Sequence, residues 1–223
     1  MTSSGARGNS VFITGATSGI GKETTALFLA KGWRVLATAR TDTQAIKLRE
    51  EFNYPDFEVI TCEVHIEESC QSAIKRVLEL VPSGPNVIVN NAGFALPGAI
   101  EDVELQDAEH QLDTNLLAPA RFIQGFLPSM RKVGHGRIIN VSSVSGLVAM
   151  PFIGWYSASK FGLEAISDAL RVELMDTRIK IVIIEPTSFA SNIWSKASKQ
   201  MPSTQSHQDH YRSADRIINA RYP

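Results

Sequence analysis

Short apolar runs alternate with amphipathic stretches along the chain. Six runs rich in β-branched and aliphatic residues predict β-strands, at 10–14, 34–40, 57–62, 86–89, 137–141 and 179–184. Between the strands, apolar residues recur at helical spacing and predict helices from about residue 20, over 42–52, 67–80 and 104–131 with a kink or break before Pro119, and up to about Met175. Because the strand runs are apolar throughout, the pattern predicts an α/β fold with a doubly wound parallel sheet covered on both faces.

Composition narrows the class of protein. The chain has 223 residues, which is enough for one substantial core and favours one domain. Its 22 Lys and Arg nearly balance 23 Asp and Glu, with no block of like charge, so we expect neither nucleic acid nor an anionic membrane as a partner. Cys62 and Cys70 form no metal spacing and no disulfide framework, no stretch is long enough for a membrane span, and we expect a soluble, cytoplasmic protein.

The first predicted strand runs into a glycine-rich turn before the first helix. Gly15, Gly19 and Gly21 lie within Thr14-Gly-Ala-Thr-Ser-Gly-Ile-Gly. Glycines there let the backbone turn tightly and approach a ligand, and the N–H groups at a helix start favour phosphate. Tight turning alone would also explain the glycines. The position between the first strand and the first helix of an α/β pattern favours a Rossmann-like dinucleotide site.

The end of the second strand carries information about the cofactor. Dinucleotide folds often place an acidic residue there to bind the ribose hydroxyls, and a basic residue accommodates a 2′-phosphate. This chain has Ala39 and Arg40 at that position and no carboxylate. The sequence therefore favours NADP(H) over NAD(H), with a solvated surface arginine as the alternative for Arg40.

Tyr156 and Lys160 lie four residues apart in a helical pattern. This spacing places the phenol and the ammonium on one face, one turn apart. Since a nearby cation favours the phenolate, we expect Lys160 to lower the pKa of Tyr156 and to make it a proton donor and acceptor. Further upstream, Asn115 stands among leucines, where a buried amide needs partners and is either structural or part of a site.

In this order the motifs resemble those of the short-chain dehydrogenases/reductases, in the single-domain branch of roughly 250 residues. The resemblance covers about 10–192 and rests on Thr14-Gly-x-x-x-Gly-x-Gly21, Asn90-Asn-Ala-Gly93, Asn115, a serine and Tyr156-x-x-x-Lys160. The family's serine lies thirteen positions before the tyrosine, which selects Ser143. The resemblance implies four catalytic residues, Asn115, Ser143, Tyr156 and Lys160, and a cofactor site of Gly15, Thr17, Ser18, Gly19, Ile20, Gly21, Arg40, Glu63, Val64, Asn91, Ala92, Gly93, Tyr156, Lys160, Pro186, Thr187 and Ser188.

Three departures from the family pattern are present. Glu63 replaces the usual Asp near the adenine, and Thr187 stands where the family has glycine after the sixth strand. Beyond Pro186 the family usually has a lid, a helix and a seventh strand, for which this sequence has little room. We therefore expect a loose segment 1–8, a cofactor-binding and catalytic domain 9–192, and a partial lid with a shortened C-terminus at 193–223, with the sixth strand as an exposed edge.

The function implied is NADPH-dependent reduction of a lipophilic ketone or aldehyde, or oxidation of the alcohol, with Tyr156 as general acid and base. Apolar residues near the tyrosine would either line a substrate pocket or pack lid against core: Phe94, Leu96, Val148, Met150, Phe152, Ile153 and Trp155. The alternative is an NADP-binding sensor or scaffold without turnover, and a nucleotide-sugar epimerase fits the glycine spacing less well. Family habit also implies a homo-oligomer formed through the helices that hold Asn115 and Tyr156.

Overall fold

The computed structural model describes residues 8–187 and Tyr211. Its strands are β1 (Ser10–Ile13), β2 (Arg34–Ala39), β3 (Phe57–Thr61), β4 (Val87–Asn90), β5 (Gly136–Val141) and β6 (Ile179–Ile184). Its α-helices are α1 (Gly19–Ala30), α2 (Asp42–Glu51), α3 (Glu67–Leu80), α4 (Leu105–Leu112), α5 (Ala118–Val133) and α6 (Gly154–Glu173). A π-helical turn, Asp113–Leu117, joins α4 to α5, and a short 3₁₀ turn, Val144–Gly146, follows β5.

The strands form one parallel sheet in the order β3-β2-β1-β4-β5-β6. The order reverses between β1 and β4, and the carboxyl ends of strands at such a reversal border the crevice in which open α/β sheets bind ligands. β6 is the last strand on its side of the described sheet, and Ile184 at its end is exposed. Within residues 8–187, no helix combines the length and the apolar character needed to cross a membrane.

Helices cover both faces of the sheet because each central strand is apolar on both sides. On one face Phe12 packs against Phe122 and Phe126 of α5, with ring centroids 5.0 and 5.1 Å apart. On the opposite face its neighbours Val11 and Ile13 belong to a second cluster that includes residues of α1 and α2. This double covering confirms the predicted doubly wound α/β architecture.

All six predicted strands are present, within one or two residues of their predicted ends. The predicted helix 104–131 is divided, with the irregular turn just before Pro119 where a break was expected. The predicted loose segment 1–8, apart from Gly8, and the predicted partial lid and C-terminus at 193–223, apart from Tyr211, lie outside the described residues.

Candidate active site

The glycine turn between β1 and α1 is tightly packed against the loop that follows β4. A Cβ atom at Gly21 would lie 2.3 Å from the Gly15 carbonyl oxygen and 2.4 Å from the Asn91 amide nitrogen, so only glycine fits there. Ser18 is the N-cap of α1, but its side chain makes no capping hydrogen bond. The first N–H groups of α1 therefore have no side-chain cap, and this donor set fits a pyrophosphate.

Two side chains hold the ends of β1 and β4 together. The Asn91 amide donates to the carbonyl oxygens of Thr14 and Gly15, at 2.9 and 3.2 Å. In return the Thr14 hydroxyl accepts from the backbone N–H groups of Asn91 and Ala92, at 3.0 and 2.9 Å. The Gly15 N–H donates to the Thr38 hydroxyl of β2 at 3.3 Å. Three strand ends are thereby fixed around one turn.

Arg40 follows β2 at the same edge of the sheet and is exposed. Its backbone N–H donates to the Gln44 side chain at 3.2 Å, so that the arginine is held at the start of α2. Val64, after β3, lines the cleft beside it. Glu63 is exposed, with its carboxylate 4.0 Å from His65, beside the cleft rather than in its lining, and its adenine contact stays a prediction.

Tyr156 and Lys160 lie on α6, and both are almost fully buried. The Lys160 ammonium donates to the Val141 carbonyl at 2.8 Å and lies 5.8 Å from the centroid of the Tyr156 ring. Ser143 forms a hydrogen bond with Tyr156, and its hydroxyl also accepts from the Ser145 N–H at 3.1 Å. Three of the predicted catalytic residues are thus brought together at the end of β5.

The acidity of the tyrosine differs from the prediction. Burial raises the pKa of Tyr156 above its ordinary value, and the hydrogen bond with Ser143 acts in the opposite direction. Burial lowers the pKa of Lys160 to about 8, and the Glu164 carboxylate opposes this change. The predicted lowering of the tyrosine pKa was wrong, because removal of both groups from water disfavours the phenolate as well as the ammonium.

Asn115 is buried in the π-helical turn and its side chain is fully engaged. The amide nitrogen donates to the Phe94 carbonyl at 2.9 Å and to the Ser159 hydroxyl at 3.0 Å, and the amide oxygen accepts from the Phe94 N–H at 3.1 Å. Ser159 in turn donates to the Tyr156 carbonyl at 2.7 Å. The side chain of Asn115 therefore fixes the β4 loop to the helix that carries the tyrosine.

The π-helical turn has a local cause. The Ala118 N–H donates to the Asp113 carbonyl, five residues earlier, which widens the turn. Pro119 has no N–H, so the Asn115 carbonyl cannot accept the usual bond from the residue four positions later. Such single wide turns are frequent at functional sites.

One cleft of about 750 Å³ runs along the carboxyl ends of the strands. Most of the predicted site residues line it: Gly15, Thr17, Ser18, Gly19, Ile20, Arg40, Val64, Asn91, Ala92, Gly93, Ser143, Tyr156, Lys160, Pro186 and Thr187. Gly21 and Asn115 lie behind this lining and support it. Ser188 lies outside the described residues.

Sequence reasoning missed several residues of the cleft. Thr38, Gln44, His65 and His110 line it, and the two imidazole rings lie 4.3 Å apart. Gln111, fully buried, donates to the same Phe94 carbonyl as Asn115, at 3.0 Å. Only Gln111 carried a usable signal, because it precedes Asn115 by one helical turn and a buried amide needs a partner.

Apolar residues border the tyrosine end of the cleft. Phe94 and Leu96 line it, and Ile153 packs against Tyr156. Phe152 has a positive φ of 60°, which is uncommon for a bulky residue, and its ring meets that of Tyr211 at 5.4 Å. Val148 is half exposed. These surroundings can accommodate an apolar molecule beside the phenol.

A family model described as short chain dehydrogenase matches residues 9–202. The chain belongs to this family of oxidoreductases. It is 40% identical over 187 residues to the uncharacterized oxidoreductase YusZ of Bacillus subtilis, covering 82% of this chain and 66% of that protein. It is 41% identical over 189 residues to retinol dehydrogenase 16 of Mus musculus, covering 84% and 59%.

A solved structure of a metagenomic short-chain oxidoreductase in complex with NADP is also similar. Its TM-score is 0.76 at 26% identity, covering 81% of this chain and 83% of that one. This chain therefore spans about two thirds of the length of YusZ (66%) and less of the mouse enzyme (59%). These matches establish the family and its Rossmann-like fold.

Proposed function

We propose that this short-chain dehydrogenase is an NADP(H)-dependent enzyme that reduces a lipophilic ketone or aldehyde, or oxidises the corresponding alcohol. The observation that carries the proposal is that Ser143, Tyr156 and Lys160 line the same cleft as the glycine turn. On this proposal, the start of α1 binds the phosphates of the cofactor at one end of the cleft, and Tyr156 is the buried proton donor at the other end. When bound, the cofactor would supply the hydride.

In this mechanism Tyr156 donates its proton to the substrate oxygen while Ser143 holds that oxygen by a hydrogen bond. A raised pKa keeps the phenol protonated at neutral pH, which suits the direction of reduction. Oxidation needs the phenolate as base, so its rate should rise toward alkaline pH. Asn115 holds the β4 loop against α6, and its backbone carbonyl, which Pro119 cannot bond, is the group we propose to hold a proton-relaying water.

The preference for NADP(H) is supported by Arg40 and by the absence of a carboxylate at the end of β2. The metagenomic relative was solved with NADP. Arg40→Ser should weaken NADPH binding about 10- to 100-fold, as expected for loss of a charge-assisted hydrogen bond, and should leave NADH binding unchanged. Arg131→Ser, at the exposed end of α5, is the control. Equal effects on both cofactors would contradict the assignment.

The lipophilic substrate class is supported by the apolar residues beside the tyrosine and by the name of the mouse relative, a retinol dehydrogenase. The test is a panel of apolar and polar ketones and aldehydes with NADPH, followed by cofactor absorbance. We expect higher kcat/KM values for the apolar compounds. A preference for small polar carbonyls would contradict this part of the proposal.

Tyr156→Phe tests the catalytic role directly. It should lower kcat about 100- to 10,000-fold, the usual contribution of a general acid, and leave NADPH affinity within about twofold. Tyr54→Phe, at an exposed tyrosine outside the cleft, should change neither. Tight NADPH binding without turnover on any carbonyl compound would favour a sensor or scaffold instead.

We also propose a homo-oligomer formed through the helices that hold Asn115 and Tyr156. Leu117 and Phe161, in the π-helical turn and in α6, are exposed apolar side chains. Burial of such residues between copies is favourable. Light scattering after size exclusion should show an oligomer that Phe161→Glu converts to monomer, and a wild-type monomer would refute the proposal.

A further inference from the structure

Glu164 is a partly buried carboxylate that the catalytic scheme does not use. It lies on α6, one turn after Lys160, so both side chains share a face of the helix. Its Oε1 atom is buried and has no hydrogen-bond partner among the described residues. Burying a carboxylate oxygen without a hydrogen bond costs free energy, so a favourable interaction elsewhere is expected to offset that cost.

The loop that carries Ser143 makes room for this carboxylate. A Cβ atom at Gly146 would lie 3.0 Å from Glu164 Cγ, 3.2 Å from its Oε1 and 2.9 Å from the Ser142 hydroxyl. The Ser142 hydroxyl is likewise buried without a partner among residues 8–187. The carboxylate is thus packed between α6 and the 3₁₀ turn after β5, where it cannot swing into solvent without leaving this contact.

Among the described residues, the other groups that surround Lys160 carry no free charge. β5 contributes the Val141 carbonyl, and the β4 loop approaches through Gly93, whose Cβ position would be 3.7 Å from the ammonium. The π-helical turn contributes the neutral Asn115. Its acidic residue, Asp113, is paired with Arg121 at 2.7 Å.

Tyr156, one turn before Lys160 on the same helix face, is neutral at neutral pH, and Asp168, one turn beyond Glu164, is exposed and paired with Arg171. Burial lowers the pKa of Lys160 to about 8, and the resolved electrostatic contribution that opposes burial comes from Glu164. A carboxylate one helical turn away stabilises an ammonium by Coulomb attraction, and this attraction is stronger where burial has removed the ammonium from water.

We propose that Glu164 is a positioning residue that keeps Lys160 mostly protonated in the buried site at neutral pH. The kinetic consequence of this inference rests on the proposed function, but the effect on the protonation of Lys160 does not. Under the proposed mechanism, loss of Glu164 would narrow the pH range over which the lysine can return a proton to the tyrosine.

The direct test is a pH titration of lysine side chains by NMR with labelled lysine, in which Lys160→Met identifies the Lys160 signal. In the wild-type protein we expect a midpoint of about 8. Glu164→Gln keeps the shape of the side chain, removes the charge and should lower that midpoint by about one pH unit. Asp168→Asn removes the same charge one turn further along α6, where the side chain is 65% exposed, and should leave it unchanged.

An unchanged Lys160 midpoint in Glu164→Gln, or equal shifts in both variants, would overturn the inference. Should Glu164→Gln fail to fold by circular dichroism, Glu164→Met, which buries no polar group, is titrated with the same expectation. In an active enzyme, the pH at which kcat/KM falls on the alkaline side should decrease by the same amount in Glu164→Gln. In Glu164→Asp, which keeps the charge, that pH should be close to the wild-type value. If Tyr156→Phe keeps full turnover while the Lys160 midpoint still shifts in Glu164→Gln, the proposed function is refuted and this inference stands.

Discussion

Replacing Lys160 by methionine should stabilise the fold near neutral pH, although the residue is central to the proposed chemistry. Its ammonium is buried and donates to the Val141 carbonyl. Burial lowers the pKa from 10.5 to about 8. Since one pKa unit corresponds to about 1.4 kcal/mol, the folded protein carries a penalty of about 3 kcal/mol for the charged lysine.

The penalty depends on pH in a defined window. Because the pKa of Lys160 is lower in the folded protein, the unfolded chain holds more protons between about pH 8 and 10.5. The contribution of Lys160 to the free energy of unfolding therefore rises with pH across that window and is constant below it. A methionine side chain does not titrate, so the advantage of Lys160→Met should shrink by about 2–3 kcal/mol between pH 7 and 10.

Urea unfolding at a series of pH values measures this difference. Loss of the hydrogen bond to Val141 adds a cost that does not change with pH, so the slope of the difference is the informative quantity. Lys47→Met, at an exposed lysine of α2, is the matched control. A flat difference for Lys160→Met would show that the buried ammonium is not destabilising and would refute the reasoning.

Two further predictions concern packing and buried polar groups. Gly21→Ala should cost about 1–3 kcal/mol in urea unfolding because its Cβ would lie 2.3 Å from the Gly15 carbonyl oxygen, while Gly19→Ala, in open space at a φ of 54°, should cost about 1 kcal/mol. A larger loss for Gly19→Ala would contradict the packing argument. Asn140→Ala should cost about 2–4 kcal/mol, because it removes two buried side-chain hydrogen bonds, one of them to Ser167 at 2.8 Å. An unfolding free energy within about 0.5 kcal/mol of wild type would exclude a structural role for that bond.

The fold could be predicted because its signals are local. Val11, Phe12 and Ile13 form an apolar run that a sheet covered on both faces requires, and in the structure they alternate between the two cores. The glycine turn could also be predicted, since the closest contact that requires Gly21 is with Gly15, six residues earlier in the same turn. The conformation of such apolar strands and glycine turns is set mainly by the residues within them and depends little on the rest of the chain.

The less predictable features arise from contacts between distant segments. Thr14 and Thr38 became part of the site only because three strand ends meet at one turn. The pKa of Tyr156 depends on how completely the fold removes it from water, a quantity that the four-residue spacing to Lys160 does not contain. Helical spacing correctly predicted that the two side chains lie close together, but burial is what sets the direction of the pKa change.

The opposed pKa changes of Tyr156 and Lys160 fit the proposed direction of proton flow. The tyrosine pKa lies above 10.0 and that of the lysine at about 8, so a phenolate formed by proton donation is the stronger base of the two. Transfer of a proton from the ammonium back to the phenolate is therefore favourable. A buried pair with ordinary pKa values would have almost no such driving force. Burial, which removes the predicted activation of the tyrosine, instead makes the lysine an effective proton source for it.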